Sequence, residues 1–147
     1  MRCTIWYVDI ERRATSKATP DQLWAVMSDL EAWPEVLPTV NKVERDGPAG
    51  PHGVGAAYYV EQPKLRRARW EVTEWTPGKS FTWTSSAPGL RMTATHEVVP
   101  TTSGGAEIVL GMHWSGWMSG LLGRLYGTMT KSYMETEAAT FAARAEG

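Results

Sequence analysis

His96 is the one titratable side chain that strand alternation places on an apolar face of this chain. Across residues 91–99, Met92, Ala94, His96 and Val98 fall together, because successive side chains of a strand point to opposite faces. An imidazole there titrates near neutral pH and can act as a general acid or base, or donate a hydrogen bond to a ligand carbonyl. An interior histidine bonded to a hydroxyl or a backbone carbonyl fits the same pattern. Ser85 shares a face with Phe81 and Trp83 in residues 80–86. Residues 55–62 leave two phases open: Tyr59 with Ala57 and Glu61 inward, or Tyr58 with Val60. The first would put a phenol and a carboxylate near an interior cavity, where burial would raise the pKa of Glu61 so that it could serve as a base; a Glu pointing to solvent at a strand end fits the same residues. His96, Tyr59 and Ser85 are therefore the candidate proton-handling groups.

The remaining reactive residues exclude more than they offer. His52 sits in a Gly-Pro turn expected to be solvated, and His113 alternates away from the apolar face. The three histidines show neither His-x₃-His nor His-Glu-x-x-His spacing, so no metal site is expected. Cys3 is the only cysteine, which rules out an internal disulfide and a four-cysteine zinc site. No phosphate-cradling glycine loop is present, and no cofactor is expected. A net charge of -1 gives no reason to expect a nucleic acid partner. The N-terminus lacks the apolar core of a signal peptide. The most apolar stretch, 110–129, carries His113 and Arg124 and is too polar for a membrane span. The expectation is a cytoplasmic protein with no stable membrane insertion, monomeric or homodimeric.

The elements that must position these groups follow from periodicity and turn residues. The 147 residues suit one domain, 1–147, with 42% hydrophobic and 21% charged residues. Residues 4–13 read as a first strand. Thr19-Pro20 caps and opens a helix with Leu23, Trp24, Val26, Met27 and Leu30 on one side. Trp33-Pro34 and Leu37-Pro38 are expected to stop helical structure, with a short second helical turn near 30–36. Val40 and Val43 lead into Gly47-Pro48-Ala49-Gly50-Pro51, a strong turn signal. Six consecutive strands are expected from residue 39 on, the last five at 55–62, 66–76, 80–86, 91–99 and 106–114, separated by turns that suit consecutive hairpins. Residues 117–144 form one long helix with Met118, Leu122, Leu125, Met129 and Tyr133 at three-four spacing. The fold class is thus α+β: a seven-stranded curved antiparallel sheet, two short N-terminal helices and one long C-terminal helix covering the sheet.

Eight tryptophans against two phenylalanines suggest an indole-lined interior, either a Trp-rich core or a cavity wall. The inner strand faces contribute Trp70, Trp83, Ser85, Met92, His96, Met112 and Trp114, and the helix contributes Leu122, Leu125, Tyr126 and Met129. An apolar, aromatic wall with a few polar points is the usual make-up of a small-molecule pocket. The glycines at 116, 120, 123 and 127 either let the start of the helix yield or let it pack closely on the sheet.

Three strings, ATPDQLWAVMSDLEAWPEVLPTVNKVE, ARWEVTEWTPGKSFTWTSS and TSGGAEIVL, and the order of elements across nearly the whole chain resemble the START-like (helix-grip, SRPBCC) superfamily, in its polyketide cyclase/dehydrase-like branch. The matching residues are scaffold: the helix Trp, the Ser-Asp and Trp-Pro region, and turn glycines. The resemblance implies a helix-grip fold that holds lipids, polyketides or similar ligands between sheet and helix. It does not by itself imply an activity, since one fold hosts many.

Three functions follow as expectations. The first is binding of a hydrophobic, aromatic or polycyclic small molecule, polyketide- or lipid-like. The second is a cofactor-free polyketide aromatase/cyclase or dehydratase, with His96 shuttling protons while the cavity folds the substrate. The third is a regulatory or interaction domain with a vestigial cavity. The basic run Lys64, Arg66, Arg67 and Arg69 either forms a solvated outer face or attracts an acidic ligand or an acyl carrier protein.

Overall fold

The computed structural model describes residues 7–147. Its elements are β1 (Tyr7–Ser16), α1 (Pro20–Met27), a 3-10 turn (Leu30–Ala32), α2 (Trp33–Val36), β2 (Lys42–Asp46), β3 (Ala57–Glu61), β4 (Ala68–Thr76), β5 (Ser80–Ala87), β6 (Leu90–Pro100), β7 (Ala106–Ser115) and α3 (Ser119–Ala145). Cys3 and the expected start of the first strand at residues 4–6 lie outside the described residues. The strand runs past residue 13 because Ala14, Thr15 and Ser16 pair in register with Ile108, Glu107 and Ala106.

The α1 start is set by a reciprocal pair. Thr19 Oγ1 accepts from the Gln22 amide at 3.2 Å, and Gln22 Oε1 accepts from the Thr19 amide at 2.9 Å, which satisfies two amides that the helix leaves unpaired. Trp33-Pro34 departs from expectation. Trp33 is helical, with φ -53° and ψ -39°, and Pro34 occupies the first turn of α2, where a missing N–H costs nothing. Leu37, before Pro38, is extended and does end that turn.

The seven strands form one antiparallel sheet in the order β1-β7-β6-β5-β4-β3-β2. Strands β2 to β7 are a meander, and β1 pairs with β7 to complete the sheet. The inner face carries Tyr58 and Val60 of β3, Trp70 and Val72 of β4, Phe81, Trp83 and Ser85 of β5, Ala94, His96 and Val98 of β6, and Ile108, Leu110 and Trp114 of β7, all buried. The odd-even question in β3 is thereby resolved: Tyr58 and Val60 face in, and Tyr59 faces out. One irregularity breaks the alternation. The register between β4 and β5 shifts between Val72 and Glu74, and this bulge turns Trp75 inward against Phe81 at 5.2 Å and Trp24 at 5.3 Å.

The second half of α3 packs tightly. Phe141 lies against Trp33 at 5.4 Å, and Ser16 Oγ donates to the Ala142 carbonyl at 2.7 Å. Two glycines serve close approach: in the first half of α3 a Cβ at Gly123 would stand 2.8 Å from Val8 Cγ2, and ahead of the helix Gly116, at φ +106°, abuts the Gly89 carbonyl in the β5–β6 turn. Gly120 and Gly127 have open space where a Cβ would go. No helix among the described residues is long and apolar enough to cross a membrane.

Candidate ligand cavity

A cavity of about 780 Å³ separates the inner sheet face from α3. Trp70 and Trp83, tilted at 31° with ring centroids 5.5 Å apart, form one wall. Met92, His96, Met112 and Trp114 continue it across β6 and β7, and Ser85 adds a hydroxyl. Leu122 and Tyr126 close it from the helix side. Trp33, at the start of α2, reaches the same space and donates its indole N–H to the Met27 carbonyl at 3.0 Å.

Three expected site residues lie elsewhere. Leu125 is 63% exposed, and Met129 is half-buried but off the cavity. The helix phase is responsible: Met118, Leu122, Tyr126, Thr130, Tyr133, Met134 and Glu137 face the cavity, which rotates positions 125 and 129 about 100° away, one residue's turn of an α-helix. Tyr59 sits on the outer face, where the Arg67 guanidinium covers its ring at 4.0 Å. The trio His96, Tyr59 and Ser85 is therefore split, with only His96 and Ser85 reaching the cavity.

His96 stacks flat on Phe81, with ring centroids 4.1 Å apart, and its Nδ1 lies 3.3 Å from the Phe81 carbonyl. Burial pushes its pKa down to about 3, against a small upward pull from that carbonyl. The ring is therefore neutral near pH 7, with Nδ1 assigned as the donor, and holds little proton-exchange capacity there. His52, expected to be solvated, is half-buried: its Nδ1 meets the Tyr58 hydroxyl and its ring lies 6.0 Å from Trp75. His113 is on the outer face, paired with Asp9.

Two polar features of the cavity escaped the sequence reading. The Trp114 indole N–H is buried and has no acceptor among the described residues, a costly arrangement unless something supplies one. On α3, Glu137 is half-buried and faces the cavity. Its Oε2 accepts from Thr39 Oγ1 at 2.7 Å and lies 3.5 Å from Gln62 Nε2, which also donates to the Thr39 carbonyl at 3.2 Å. Burial pushes the Glu137 pKa up to about 7, opposed in part by the Thr39 bond. The signal was the same helical spacing that named Leu122. Stepping 126, 130, 133/134, 137 and 141 puts a carboxylate within an otherwise apolar and hydroxyl stripe.

The basic run borders the cavity. Arg67 pairs with Glu44 at 3.0 Å, and Arg69 pairs with Asp46 at 2.8 Å and with Glu71 at 3.3 Å. No acidic partner is found for Lys64 or Arg66 among the described residues.

A curved antiparallel sheet closed over one long helix, with an aromatic cavity between them, defines a helix-grip fold. The sequence matches the model of the family described as polyketide cyclase/dehydrase and lipid transport over residues 7–146, and the chain belongs to that family. No curated protein matches it by sequence. Among solved structures, the di-domain aromatase/cyclase StfQ from the steffimycin biosynthetic pathway is similar with TM-score 0.79 and 14% identity, over 96% of this chain and 51% of that one. This chain therefore spans about half of StfQ's length. The Zhui aromatase/cyclase from Streptomyces sp. R1128 is similar with TM-score 0.72 and 16% identity, over 95% and 94% of the two chains. Norcoclaurine synthase from Thalictrum flavum, in complex with dopamine and hydroxybenzaldehyde, gives TM-score 0.73 and 16% identity over 94% and 86%. At these identities the likeness carries the fold.

Proposed function

We propose that the protein binds a hydrophobic, aromatic or polycyclic small molecule, polyketide- or lipid-like, between the sheet and α3. The observation that carries this reading is the cavity itself. A volume of about 780 Å³ lies within the range of small-molecule sites, and its indole and thioether walls suit flat apolar rings. So large a space also counts against a filled, vestigial interior. Native mass spectrometry of the purified protein is expected to find a co-purifying small molecule, and titration with a panel of polyketides, sterols and fatty acids is expected to change tryptophan fluorescence. No bound molecule together with no response to any panel member would remove the reading.

Membership of the cyclase/dehydrase family and the two aromatase/cyclase neighbours favour a second reading, cofactor-free cyclisation or dehydration of a poly-β-ketone. The cavity would act chiefly by folding the substrate. His96 suits this role as a neutral hydrogen-bonding wall residue rather than as a proton carrier. Turnover that survives His96→Ala would strike His96 from the chemistry; an unaltered product profile with added protein would remove the cyclase reading. An acyl carrier protein, if one delivers the substrate, has Lys64 and Arg66 to meet its acidic surface.

A further inference from the structure

We propose that Glu137, backed by Thr39 and Gln62, is a protonated-carboxyl site that donates a hydrogen bond to a carbonyl or ether oxygen of the molecule held in the cavity. The proposal rests on the cavity-binding reading and adds a recognition chemistry to it.

The geometry divides the two carboxyl oxygens. Oε2 takes both neighbours, Thr39 Oγ1 at 2.7 Å and Gln62 Nε2 at 3.5 Å. Those bonds suit the carbonyl oxygen of a protonated acid, which leaves Oε1–H as the donor. Among the described residues no cation pairs with Glu137, whose shift comes from burial and the Thr39 bond alone. From the β3–β4 segment, Gln62 is neutral and Lys64 is solvent-exposed. From β1, Arg12 is engaged by Glu135 at 2.9 Å. From α1 and α2, Asp21 and Glu35 are acidic and exposed, and from β6 His96 is neutral. On α3 itself, the Tyr133 hydroxyl donates to the Pro63 carbonyl at 2.6 Å. The apolar surroundings disfavour the charged form, and the raised pKa agrees with this.

An oxygen acceptor is also the ligand chemistry that the rest of the cavity favours over an amine. Lys64 and Arg66, which have no acidic partner among the described residues, border the cavity, and their charge opposes a cation at the mouth. The Trp114 N–H is a second donor awaiting an acceptor.

Calorimetric titration between pH 5.5 and 8.5 tests the site with three probes of one outline: anthraquinone-2-carboxylate, anthracene-2-carboxylate and protonated anthracen-2-ylmethylamine. Wild type is expected to prefer the quinone over the anthracene acid by about tenfold at pH 6, the worth of a good buried hydrogen bond, and to lose most of that preference by pH 8.5 as Glu137 ionises. E137Q, whose amide donates at every pH, is expected to keep the preference throughout. A preference in wild type that does not change with pH overturns the proposal and leaves the cavity reading standing. Amine binding that tightens with pH also overturns it, by making Glu137 a carboxylate site for cations. No binding of any probe at any pH overturns the proposal, and the cavity reading falls with it only when the native mass spectrum and the ligand panel are also blank. Should E137Q not fold, carboxyl-¹³C glutamate labelling of wild type still decides. The quinone must raise the Glu137 titration midpoint, and an unchanged or lowered midpoint sinks the site.

Discussion

From Met134 onward, α3 buries an unbroken strip of Met134, Ala138, Phe141, Ala142 and Ala145, whereas over its first fifteen residues only Ser119 and Gly127 are buried. In that first half Leu121 and Leu125 stand in solvent, and Leu122 and Tyr126 face the cavity rather than packed side chains. The same helix is thus a core element at one end and a cavity cover at the other. Stability and ligand contact are divided along its length. Glu137 lies just past the changeover, which is why a carboxyl group can be half-buried there and still face the cavity.

The comparison breaks first at Phe141. Phe141→Ala opens a hole against Trp33 and is expected to cost about 3–5 kcal/mol in chemical denaturation. If the loss is below about 1 kcal/mol, the second half is not the anchor described here.

Stability against pH tests the changeover point. The folded pKa of Glu137 is raised to about 7. Its contribution is therefore full below the unfolded glutamate pKa, near 4.3, and is lost as pH rises through about 7. His96, lowered to about 3, works in the opposite sense. Its contribution is full above the unfolded histidine pKa, near 6.5, and is lost as pH falls toward 3. The two oppose each other between about pH 4.3 and 6.5. Denaturation at stepped pH is expected to show wild type losing on the order of 1–3 kcal/mol relative to E137Q between pH 5 and 8. A constant difference between the two proteins would mean that Glu137 is not desolvated.

At the cavity, Trp114→Phe keeps one aromatic ring and deletes the pyrrole ring that carries the orphaned N–H. Affinity for anthraquinone-2-carboxylate is expected to fall about fivefold, the net worth of one hydrogen bond. Unaltered affinity would show that the N–H meets no ligand.

Smaller effects sharpen the description of the first half. Gly120→Ala and Gly127→Ala place a methyl in open space and are expected to add about 0.5–1 kcal/mol each through helix propensity and a less flexible unfolded chain. Gly123→Ala, which meets Val8 at 2.8 Å, is expected to show no such gain. Leu125→Ala, in solvent, is expected to stay within about 0.5 kcal/mol of wild type. A larger loss there would reveal a partner surface on that side of the helix.

Much of the fold was legible in local chemistry. Thr19 with Pro20 announced α1, hairpin turn residues separated the strands, and period-two alternation placed Trp70, Trp83, His96 and Trp114 on one face, because side-chain direction in a strand needs no knowledge of the rest of the protein. Alternation failed where one extra residue in β4 reversed the phase and carried Trp75 inward, since a bulge is set by pairing with β5. Helical periodicity likewise identified α3 but left its rotation open. Position 125 or 126, and 129 or 130, fit equally well until Gly123 meets Val8 and Phe141 meets Trp33. That rotation sends Leu125 and Met129 away from the cavity and brings Glu137 into it. His96 could be read as inward from the sequence, but its neutrality near pH 7 comes from the burial that Phe81, Trp33 and Trp83 impose on it from other elements. The sequence determined the elements and the sheet's apolar face through short-range sterics and patterning. Only tertiary packing decided which carboxyl lost its water, because desolvation depends on every element around a group and on none of them singly.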